Sequence, residues 1–479
     1  MAQRPATTPL RRLLHQLVTN HHPKADSFQN QPLSPLIHLS SRLESLPLSP
    51  SPPTLFDMNL SPPRGTRDFF PEDMRLRTWL FCHFRDVAQL FGFEEYDAPV
   101  VESAELYVRK AGEEIVDQLY TFQDKSNREL ALRPEMTPSL ARMILQKGGA
   151  LGLPIKWFSL PQCWRYERMT RGRRREHFQW NMDIVGVDDV TAEAELLAAL
   201  VTLFQRLGLG AGDVAIRLSN RRLLQSVLTN AGVTEELFAP VCILVDKLEK
   251  LPRETIEADL QGLGVDTGVI DGVLEVASCT SLEDARKLAG AGDNGLDEVE
   301  RLIDLTAAYG FADWLRYDPS LVRGLAYYTG TVFEAFATEG ELRAICGGGR
   351  YDRLLSTFGG KDVPACGFGF GDAVIVELLK DKGLLPELGP SVDDVVFAFS
   401  EQLRGPAMEV ARRLRASGRC VDLVLDAGKR MKWAFRHADN AGAARLVLLA
   451  PDEWERGVIK VRDLTSGEEQ EVTPEELSS

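Results

Sequence analysis

The sequence predicts an α+β fold with a sheet-based body, a helical insertion and a smaller α/β domain at the C-terminus. Three observations indicate this fold class. Two β-rich runs, at 154–168 and 176–187, are separated by the turn-prone MTRGRRR and predict an antiparallel hairpin with a long loop. Residues from about 225 to 308 are mainly helical and charged. After residue 390, apolar strands alternate with helices, which is typical of an α/β domain with a mixed sheet.

Length and charge limit the class of protein. The chain has 479 residues, which favours two or three domains, and a formal net charge of −15 argues against a general nucleic-acid coat or a binder of anionic membranes. Contact with a polyanion therefore requires a local basic patch. The seven cysteines are scattered without a C-x-x-C pair, which predicts reduced thiols and no zinc site. No apolar run is long enough to predict a transmembrane helix.

The first 57 residues differ in composition from the rest of the chain. They are rich in Ser, Thr and Pro, and their basic residues outnumber the acidic ones. The charged residues are Arg4, Arg11, Arg12, Lys24 and Arg42 against Asp26, Glu44 and Asp57. This composition, without a compact apolar segment, predicts a disordered organellar transit peptide at 1–57 and a mature chain that starts near Leu60. A disordered tail without a targeting role is the alternative.

The body is predicted to open with a long amphipathic helix. Pro71 suits its first turn, and Gly92 suits the residue after its last. Apolar residues recur at spacings of three and four at Leu76, Leu80, Phe84, Val87 and Phe91. A short strand punctuated by Pro99 follows. The stretch LALRPEMTPSLARMIL then predicts a strand, an extended segment and a second helix.

The predicted hairpin carries the first group of polar residues. Arg165 is placed on one strand, and alternation places Gln179, Asn181 and Asp183 on one face of the other. An amide and a carboxylate opposite an arginine make a poor core face and a suitable binding floor. The loop between the strands contains Arg168, Arg171, Arg173, Arg174 and Arg175. A solvated hairpin with a charged tip is the alternative.

The RPEMT segment adds a carboxylate and a hydroxyl group. Glu135 and Thr137 project from extended backbone, where they could accept hydrogen bonds from the ammonium group of a ligand. Taken singly, Glu135 also fits a surface charge or an acid at a helix N-terminus near Ser139.

The stretch LVRGLAYYTG sets Arg323 beside a glycine and before the tyrosine pair Tyr327 and Tyr328. An unpaired buried charge is costly, so Arg323 predicts either an anionic ligand or a structural ion pair. The glycine-rich stretches CGGGRYDRLL and CGFGFGD allow a ligand to approach the backbone closely, although neither matches a Walker or dinucleotide fingerprint. Together with the hairpin, these groups indicate a site for a small zwitterion beside a phosphate chain.

These motifs, taken in order, resemble the histidyl-tRNA synthetases, a family of class II aminoacyl-tRNA synthetases. RGTRDFFPEDM with its helix resembles motif 1, and WRYER through FQWNMDIVG resembles motif 2. LVRGLAYYTG and GGGRYD resemble the two histidine-specific motifs. The resemblance implies a class II antiparallel sheet flanked by helices at 58–390, with the helical insertion inside it, and an anticodon-binding α/β domain at 391–479.

The resemblance also implies how L-histidine is held. Glu135, Thr137 and Gln179 would bind its amino and carboxylate end. Asp183 and Tyr328 would engage the imidazole, and Tyr327 would form another wall of the pocket. An acceptor at Asp183 suits the N–H groups of the ring.

The remaining implied roles concern ATP and tRNA. Arg165 and Arg323 would contact the α-phosphate of ATP and, with Gln179, form the catalytic set, while Gly369 and Gly371 would lie beside the nucleotide. The loop residues expected at the acceptor end of tRNA(His) are Arg168, Arg173 and Arg175. Mg²⁺ would accompany ATP without a site made of protein ligands alone. A homodimer in the chloroplast, the mitochondrion or both, without a membrane anchor, completes what the resemblance and the leader imply.

Two positions depart from the family pattern. Ala326 stands where many relatives carry Asp, which could alter the support of the neighbouring tyrosines. Val374 stands where motif 3 normally has an arginine that grips the γ-phosphate. We expect another arginine to compensate, with Arg350 and Arg353 as candidates.

Two other functions compete with this interpretation. A catalytically inactive, synthetase-like regulatory subunit of ATP phosphoribosyltransferase would explain the lost motif 3 arginine, but such regulators lack the C-terminal domain. Another class II synthetase, such as the prolyl or threonyl enzyme, would not explain RGLAYY together with GGGRYD, and the sequence has no Cys/His cluster for a threonyl-type zinc site.

Overall fold

The structure is a computed structural model. It describes residues 59–108, 116–245, 247–248, 251–279, 281–290, 292–321, 328–390, 392–426 and 428–478. The predicted transit peptide, at 1–57, lies outside the described residues.

The described helices and strands alternate irregularly along the chain. The helices are α1 Pro71–Leu90, α2 Ala104–Val108, α3 Thr137–Lys147, α4 Thr191–Arg206, α5 Arg221–Asn230, α6 Glu235–Val245, α7 Arg253–Gly262, α8 Thr267–Ser278, α9 Leu282–Ala289, α10 Asn294–Ala308, α11 Leu354–Thr357, α12 Asp372–Asp381, α13 Arg404–Ala416, α14 Met431–Asn440 and α15 Pro451–Glu455. The strands are β1 Glu94–Glu95, β2 Val101–Ser103, β3 Tyr120–Gln123, β4 Glu129–Leu132, β5 Ile155–Ser159, β6 Gln162–Trp164, β7 Glu176–Val185, β8 Val214–Asn220, β9 Leu315–Tyr317, β10 Thr331–Ala337, β11 Cys346–Arg350, β12 Ala365–Gly371, β13 Asp394–Ala398, β14 Val421–Leu423, β15 Arg445–Leu449, β16 Ile459–Asp463 and β17 Glu469–Val472.

A nine-stranded sheet forms the body, in the order β1-β5-β7-β12-β11-β10-β8-β9 with β6 paired to β7. The interior pairs are antiparallel, as the sequence predicts. The pairs at the two edges, β1 with β5 and β8 with β9, are parallel, so the whole sheet is mixed. Strands β2, β4 and β3 form a separate small sheet.

The main core of the body lies on one face of the large sheet. Along β7, Trp180 and Met182 point toward α1 and α4, and their side chains are fully buried. Phe84 of α1 stacks on Trp180, with ring centroids 5.0 Å apart. The predicted helix with a proline in its first turn is confirmed as α1, and Gly92 after it has φ 73°, the left-handed conformation that glycine adopts readily. The opposite face carries a smaller apolar cluster, in which Ile155, Val185 and Ala365 pack with residues of α3 and α11, and the stretch of β7 before Val185 is left for polar groups.

The helical insertion is confirmed as α5–α10, between β8 and β9. Its apolar residues join the core of the body. In the part of the chain that the structure describes, no single helix is long and apolar enough to cross a membrane. Helices α5 and α6 reach that length and hydropathy only as a pair, bent by 110°.

The C-terminal α/β domain contains a five-stranded sheet in the order β14-β13-β15-β16-β17. Its first three strands are parallel and the last two pairings are antiparallel, so the predicted mixed sheet is confirmed. The strand β13 is buried along its whole length, which explains its continuous apolar run in the sequence. Helices α13 and α14 contribute their apolar residues to its two core clusters.

Candidate active site

The strand β7 supplies a polar floor on the face of the sheet opposite the core. Gln179, Asn181 and Asp183 alternate along it with the buried apolar residues. Asn181 and Asp183 are only 5% and 4% exposed. A solvated hairpin does not fit this burial. We call the face formed by these three side chains the floor.

Glycines on the neighbouring strand make room for the floor. Gly369 lies opposite Asn181, and Gly367 lies opposite Asp183, in the pairing of β12 with β7. A Cβ atom at Gly369 would lie 2.1 Å from Gln179 Nε2, and one at Gly367 would lie 2.5 Å from Asp183 Oδ1. Non-bonded atoms do not approach so closely, so any larger residue would displace the polar side chains. The glycines predicted beside a ligand are thus also required by the floor itself.

Gly371 marks the end of the floor where helix α12 begins. It lies opposite Gln179. A Cβ atom at Gly371 would meet no atom of the described residues within 4 Å. The floor therefore adjoins open space at this end.

Glu135 and Arg165 face each other beside the floor. Arg165 Nη2 lies 4.0 Å from Glu135 Oε2, and its Nε donates to the carbonyl oxygen of Pro134 at 2.9 Å. The backbone N–H of Trp164 donates to the carbonyl oxygen of Arg133, which joins the RPEMT segment to the end of β6. Arg165 follows β6 directly, whereas the sequence prediction had it within the strand. A carboxylate and a guanidinium group are thus held together, both partly buried.

Thr137 is the first residue of α3, so Glu135 precedes this helix. Ser139, the proposed neighbour of an N-terminal acid, donates instead to Glu102 Oε1 at 3.2 Å. Glu135 is also half-buried rather than a surface charge. Glu135 thus lies directly before the helix and next to Arg165, so a helix N-terminal acid and a ligand contact both fit its position, and the roles of Glu135 and Thr137 stay predictions.

Tyr328 and Tyr351 flank the Asp183 end of the floor. Their ring centroids are 6.4 Å apart, and the Tyr351 phenol donates a hydrogen bond to Asp183 Oδ1. Burial, followed by the charges of Glu334, Glu135 and Asp183, raises the pKa of the Tyr328 phenol. Sequence reasoning gave Tyr351 no role, although it stands in the GGGRYD motif.

The arginine loop, 168–175, is folded onto α12. Arg171 pairs with Glu377 at 2.9 Å and with Asp381 at 2.6 Å. Gly172 approaches Val374 so closely that a Cβ atom at Gly172 would lie 3.2 Å from Val374 Cγ2. Since Gly172 also has φ 71°, this contact and this backbone conformation both favour glycine.

Two of the arginines predicted to meet tRNA have partners inside the protein. Arg173 pairs with Glu167. The guanidinium carbon of Arg175 lies 3.8 Å from the centroid of the Tyr166 ring. Arg168 is exposed. The loop therefore carries both internal contacts and accessible positive charge.

His177 lies at the start of β7, two residues before Gln179. Burial, and then the charges of Arg165, Arg343 and Arg67, lower the pKa of its imidazole to about 3. The ring is therefore neutral near pH 7. Sequence reasoning missed both His177 and Arg343, because no motif singled them out.

Arg67 fixes the position of α12 relative to β7. Its Nε lies 2.7 Å from Glu176 Oε1, and its Nη1 lies 3.1 Å from Asp372 Oδ2. The backbone N–H of Phe178 donates to Asp372 Oδ1 at 3.0 Å. These bonds hold the first residue of α12 beside the start of β7.

The interpretation that Arg350 compensates for Val374 is wrong. Arg350 is 2% exposed, and its Nε and Nη2 each lie 2.6 Å from an oxygen of the buried Glu193. It ends β11, whereas the other end of that strand approaches α12. Arg353 is exposed and lies three residues farther in the same direction.

Arg323, Ala326 and Tyr327 lie outside the described residues, between Leu321 and Tyr328. Within the ranges that the structure covers, no group of three or more His, Cys, Asp or Glu side chains is arranged to hold a metal ion.

Comparisons with known proteins agree with this architecture. The family model for "Histidyl-tRNA synthetase" matches residues 65–372, and the model for "Anticodon binding domain" matches residues 393–479. The chain is 55% identical over 420 residues to a chloroplastic/mitochondrial histidine–tRNA ligase of Arabidopsis thaliana, covering 88% of this chain and 86% of that protein. It is 40% identical over 426 residues to a histidine–tRNA ligase of Opitutus terrae, covering 87% of this chain and 96% of that protein.

Solved structures show the same fold. The crystal structure of histidyl-tRNA synthetase from Nostoc sp. PCC 7120 superposes with a TM-score of 0.73 at 25% identity, covering 88% of this chain and 99% of the Nostoc chain. An ATP phosphoribosyltransferase regulatory subunit/histidyl-tRNA synthetase from Bacillus halodurans superposes with a TM-score of 0.69 at 23% identity, covering 81% of this chain and 98% of that one. The second likeness concerns the fold alone.

The antiparallel interior of the sheet, the polar floor on β7 and the separate C-terminal domain define a class II aminoacyl-tRNA synthetase. Both domains match their family models, and the relatives match over most of their length. The chain belongs to the histidyl-tRNA synthetase family. It is an enzyme with the function of a histidine–tRNA ligase, and the regulatory-subunit alternative is not favoured.

Proposed function

We propose that the floor binds L-histidine for activation by ATP. Glu135, Thr137 and Gln179 hold the amino and carboxylate end. Glu135 contacts Arg165 after β6, and Gln179 contacts Cys163 of β6, which supports a common place for the two side chains. Asp183 accepts a hydrogen bond from an imidazole N–H group, and Tyr328 lies against the ring with Tyr327 as a second wall. The observation that carries this proposal is the polar row on β7, where Asn181 and Asp183 are buried, Gln179 is half-buried, and glycines of β12 leave room for the three side chains.

The same site activates the amino acid. The histidine carboxylate attacks the α-phosphorus of ATP and forms a new phosphorus–oxygen bond. The bond from the α-phosphorus to the oxygen that bridges it to the β-phosphorus breaks, so pyrophosphate departs and histidyl-adenylate remains. Arg165 and Arg323 bind the α-phosphate oxygens on which negative charge develops, with Gln179 positioning the carboxylate. Gly369 and Gly371 lie along the nucleotide, where Gly371 adjoins open space. Loss of either arginine is expected to lower the rate by about 10²- to 10³-fold.

ATP enters as its Mg²⁺ complex. Mg²⁺ keeps several waters and binds substrate phosphates, so we expect no site made of protein ligands alone. The protein contributes cationic side chains around the phosphates.

The adenylate then reacts with the terminal ribose of tRNA(His). Arg168, Arg173 and Arg175 bring positive charge to the acceptor end, since the chain as a whole is acidic. The domain at 391–479 binds the anticodon.

The enzyme acts as a homodimer in the chloroplast, the mitochondrion or both. Exposed apolar side chains on and beside the small sheet, among them Val100, Val101 and Phe122, support a subunit interface there. The composition of residues 1–57 and the name of the Arabidopsis relative support organellar delivery. Cleavage of this leader would leave a mature enzyme that starts near Leu60.

Histidine-dependent exchange of pyrophosphate into ATP tests the activation site, measured on the purified full chain together with charging of tRNA(His). We expect exchange with histidine and with no other amino acid. The Asp183→Ala variant is expected to lose histidine saturation while keeping the fold. Absence of exchange in the unaltered protein would contradict the proposal.

Size-exclusion chromatography with light scattering tests whether the protein is a dimer. A fluorescent protein fused to residues 1–57 tests delivery to the chloroplast or mitochondrion.

A further inference from the structure

Arg343 lies near the end of the floor where α12 begins. The carbonyl oxygen of Ile345, two residues after Arg343, accepts a hydrogen bond from the Gly371 N–H at 3.3 Å. Gly371 is the last residue of β12 and lies opposite Gln179 of β7. The chain around Arg343 therefore approaches the same edge as the start of β7 and the N-terminus of α12.

The charge of Arg343 acts on two groups at this edge. With burial and with Arg165, it lowers the pKa of the His177 imidazole to about 3. It also helps Arg173 and Arg165 to hold the pKa of Glu167 below its ordinary value, although burial opposes this shift. Arg165 acts on the same two groups, so both arginines lie near His177 and Glu167, at the space beside the start of β7. Arg165 is the residue proposed to hold the α-phosphate.

The first turn of α12 offers no cation toward that space at position 374. Val374 is 4% exposed and packs under Gly172 of the arginine loop. Arg171 pairs with two acids farther along α12, and Arg350 is used by Glu193 at the other end of β11. Position 374, Arg171 and Arg350 therefore bring no cation to that space, and Arg67 is paired with Glu176 and Asp372. An arginine from another element would suit the β- and γ-phosphates, because its fork can bind two phosphate groups.

We propose that Arg343 binds the β- and γ-phosphates of ATP, the part that leaves as pyrophosphate, in place of an arginine at position 374. This inference rests on the proposed ATP site. It assigns Arg343 to binding and positioning of the leaving group, while Arg165 stays with the α-phosphate.

The test compares Arg343→Ala, Arg343→Lys and the matched control Arg353→Ala in ATP–pyrophosphate exchange with the purified full chain. Arg343→Ala is expected to raise the KM for ATP by about 10- to 100-fold, the loss expected for charge-assisted hydrogen bonds, and to leave the KM for histidine unchanged. Arg343→Lys should recover part of the loss, since lysine keeps the charge without the fork. Arg353→Ala should behave like the unaltered protein.

Inhibition by AMP distinguishes a phosphate contact from a structural effect. AMP lacks the β- and γ-phosphates, so its inhibition constant is expected to be the same in Arg343→Ala as in the unaltered protein.

Three results would overturn the inference. They are an ATP KM in Arg343→Ala within twofold of the unaltered protein, an equal rise in the inhibition constant of AMP, and a larger effect in Arg353→Ala. If the unaltered protein shows no histidine-dependent exchange, the proposed function fails and the inference fails with it. Normal exchange with an unchanged ATP KM in Arg343→Ala would refute only the inference.

Discussion

Tyr351 donates a hydrogen bond to Asp183 Oδ1 and so joins the chain after β11 to the C-terminal part of β7. Both residues are buried, at 2% and 4% exposure. A buried carboxylate needs hydrogen-bonded partners, and this one sets the rotation of the group. Tyr351 therefore acts through Asp183 as a positioning residue of the proposed imidazole pocket.

Removing this phenol is expected to weaken histidine binding selectively. Tyr351→Phe should raise the KM for histidine by about tenfold, in the range of one buried hydrogen bond, and leave the KM for ATP unchanged. Tyr309→Phe is the matched control, because Tyr309 also donates to a carboxylate, Glu195, at an exposed site. Exchange kinetics with each substrate varied in turn make the measurement. Equal changes in both KM values, or the same change in the control, would argue against a positioning role.

Asn181 carries a donor that a ligand can use. Its Nδ2 is buried and meets no acceptor among the residues that the structure describes. Such a group costs about 1–3 kcal/mol, so a substrate acceptor placed there gains by pairing with it. We expect histidine to raise the melting temperature of the unaltered protein more than that of Asn181→Ala. Asn181→Asp, of similar size but without the N–H donors, should show the same reduced shift. Identical shifts in all three proteins would exclude a ligand contact.

The sequence predicted those parts of the fold and site that depend on local pattern. Alternation along 176–185 placed Gln179, Asn181 and Asp183 on one face, and the structure buries two of them there. Glycine content predicted close backbone approach, and the crowding at Gly369 gives its physical cause. Both follow from spacing within one segment.

Long-range pairing was not available from the pattern. Arg350 and Glu193 are 157 residues apart in sequence, so nothing local showed that Arg350 was already paired. Arg343 also lies far from His177 in sequence, and the pairing of β11 with β12 brings the two residues near each other. Parallel pairing at the two sheet edges also escaped prediction, because β1 and β9 are only two and three residues long.

His177 makes the stability of the protein depend on pH. Burial, and then the three neighbouring arginines, lower the pKa of His177 to about 3, whereas an unfolded histidine titrates near 6.5. The unfolded state therefore binds the extra proton first as the pH falls. The stabilising contribution is complete above about pH 6.5 and is lost between there and about pH 3, with a slope of at most about 1.4 kcal/mol per pH unit.

Urea unfolding between pH 7 and 4 measures this dependence. The His177→Gln variant, which does not titrate, is expected to show a shallower loss of unfolding free energy over that range. Parallel pH profiles for the two proteins would mean that other groups cause the acid sensitivity.

The arginine loop is expected to serve tRNA transfer more than adenylate formation. Charge reversal at Arg173 and Arg175 should lower charging of tRNA(His) by about tenfold or more, because contacts with the tRNA phosphates are lost. The same change should affect ATP–pyrophosphate exchange less, since tRNA takes no part in that reaction. Arg168→Glu is the cleaner single variant, since Arg168 is exposed while Arg173 pairs with Glu167. The effect of Arg168→Glu should diminish as salt rises. Equal losses in exchange and charging would place these arginines at ATP instead.

The Arg350–Glu193 pair fixes helix α4 to the end of β11. Both side chains are almost fully buried, and two hydrogen bonds of 2.6 Å join them. Glu193→Gln would leave the guanidinium charge buried with a neutral partner, which is expected to lower the free energy of unfolding by about 3–5 kcal/mol. Urea unfolding at pH 7 measures the change. Glu257→Gln is the control, because the exposed Arg253–Glu257 pair on α7 should contribute under about 1 kcal/mol. A loss in Glu193→Gln no larger than in this control would show that the buried charge finds water or another acceptor, and that the pair does not hold the helix to the sheet.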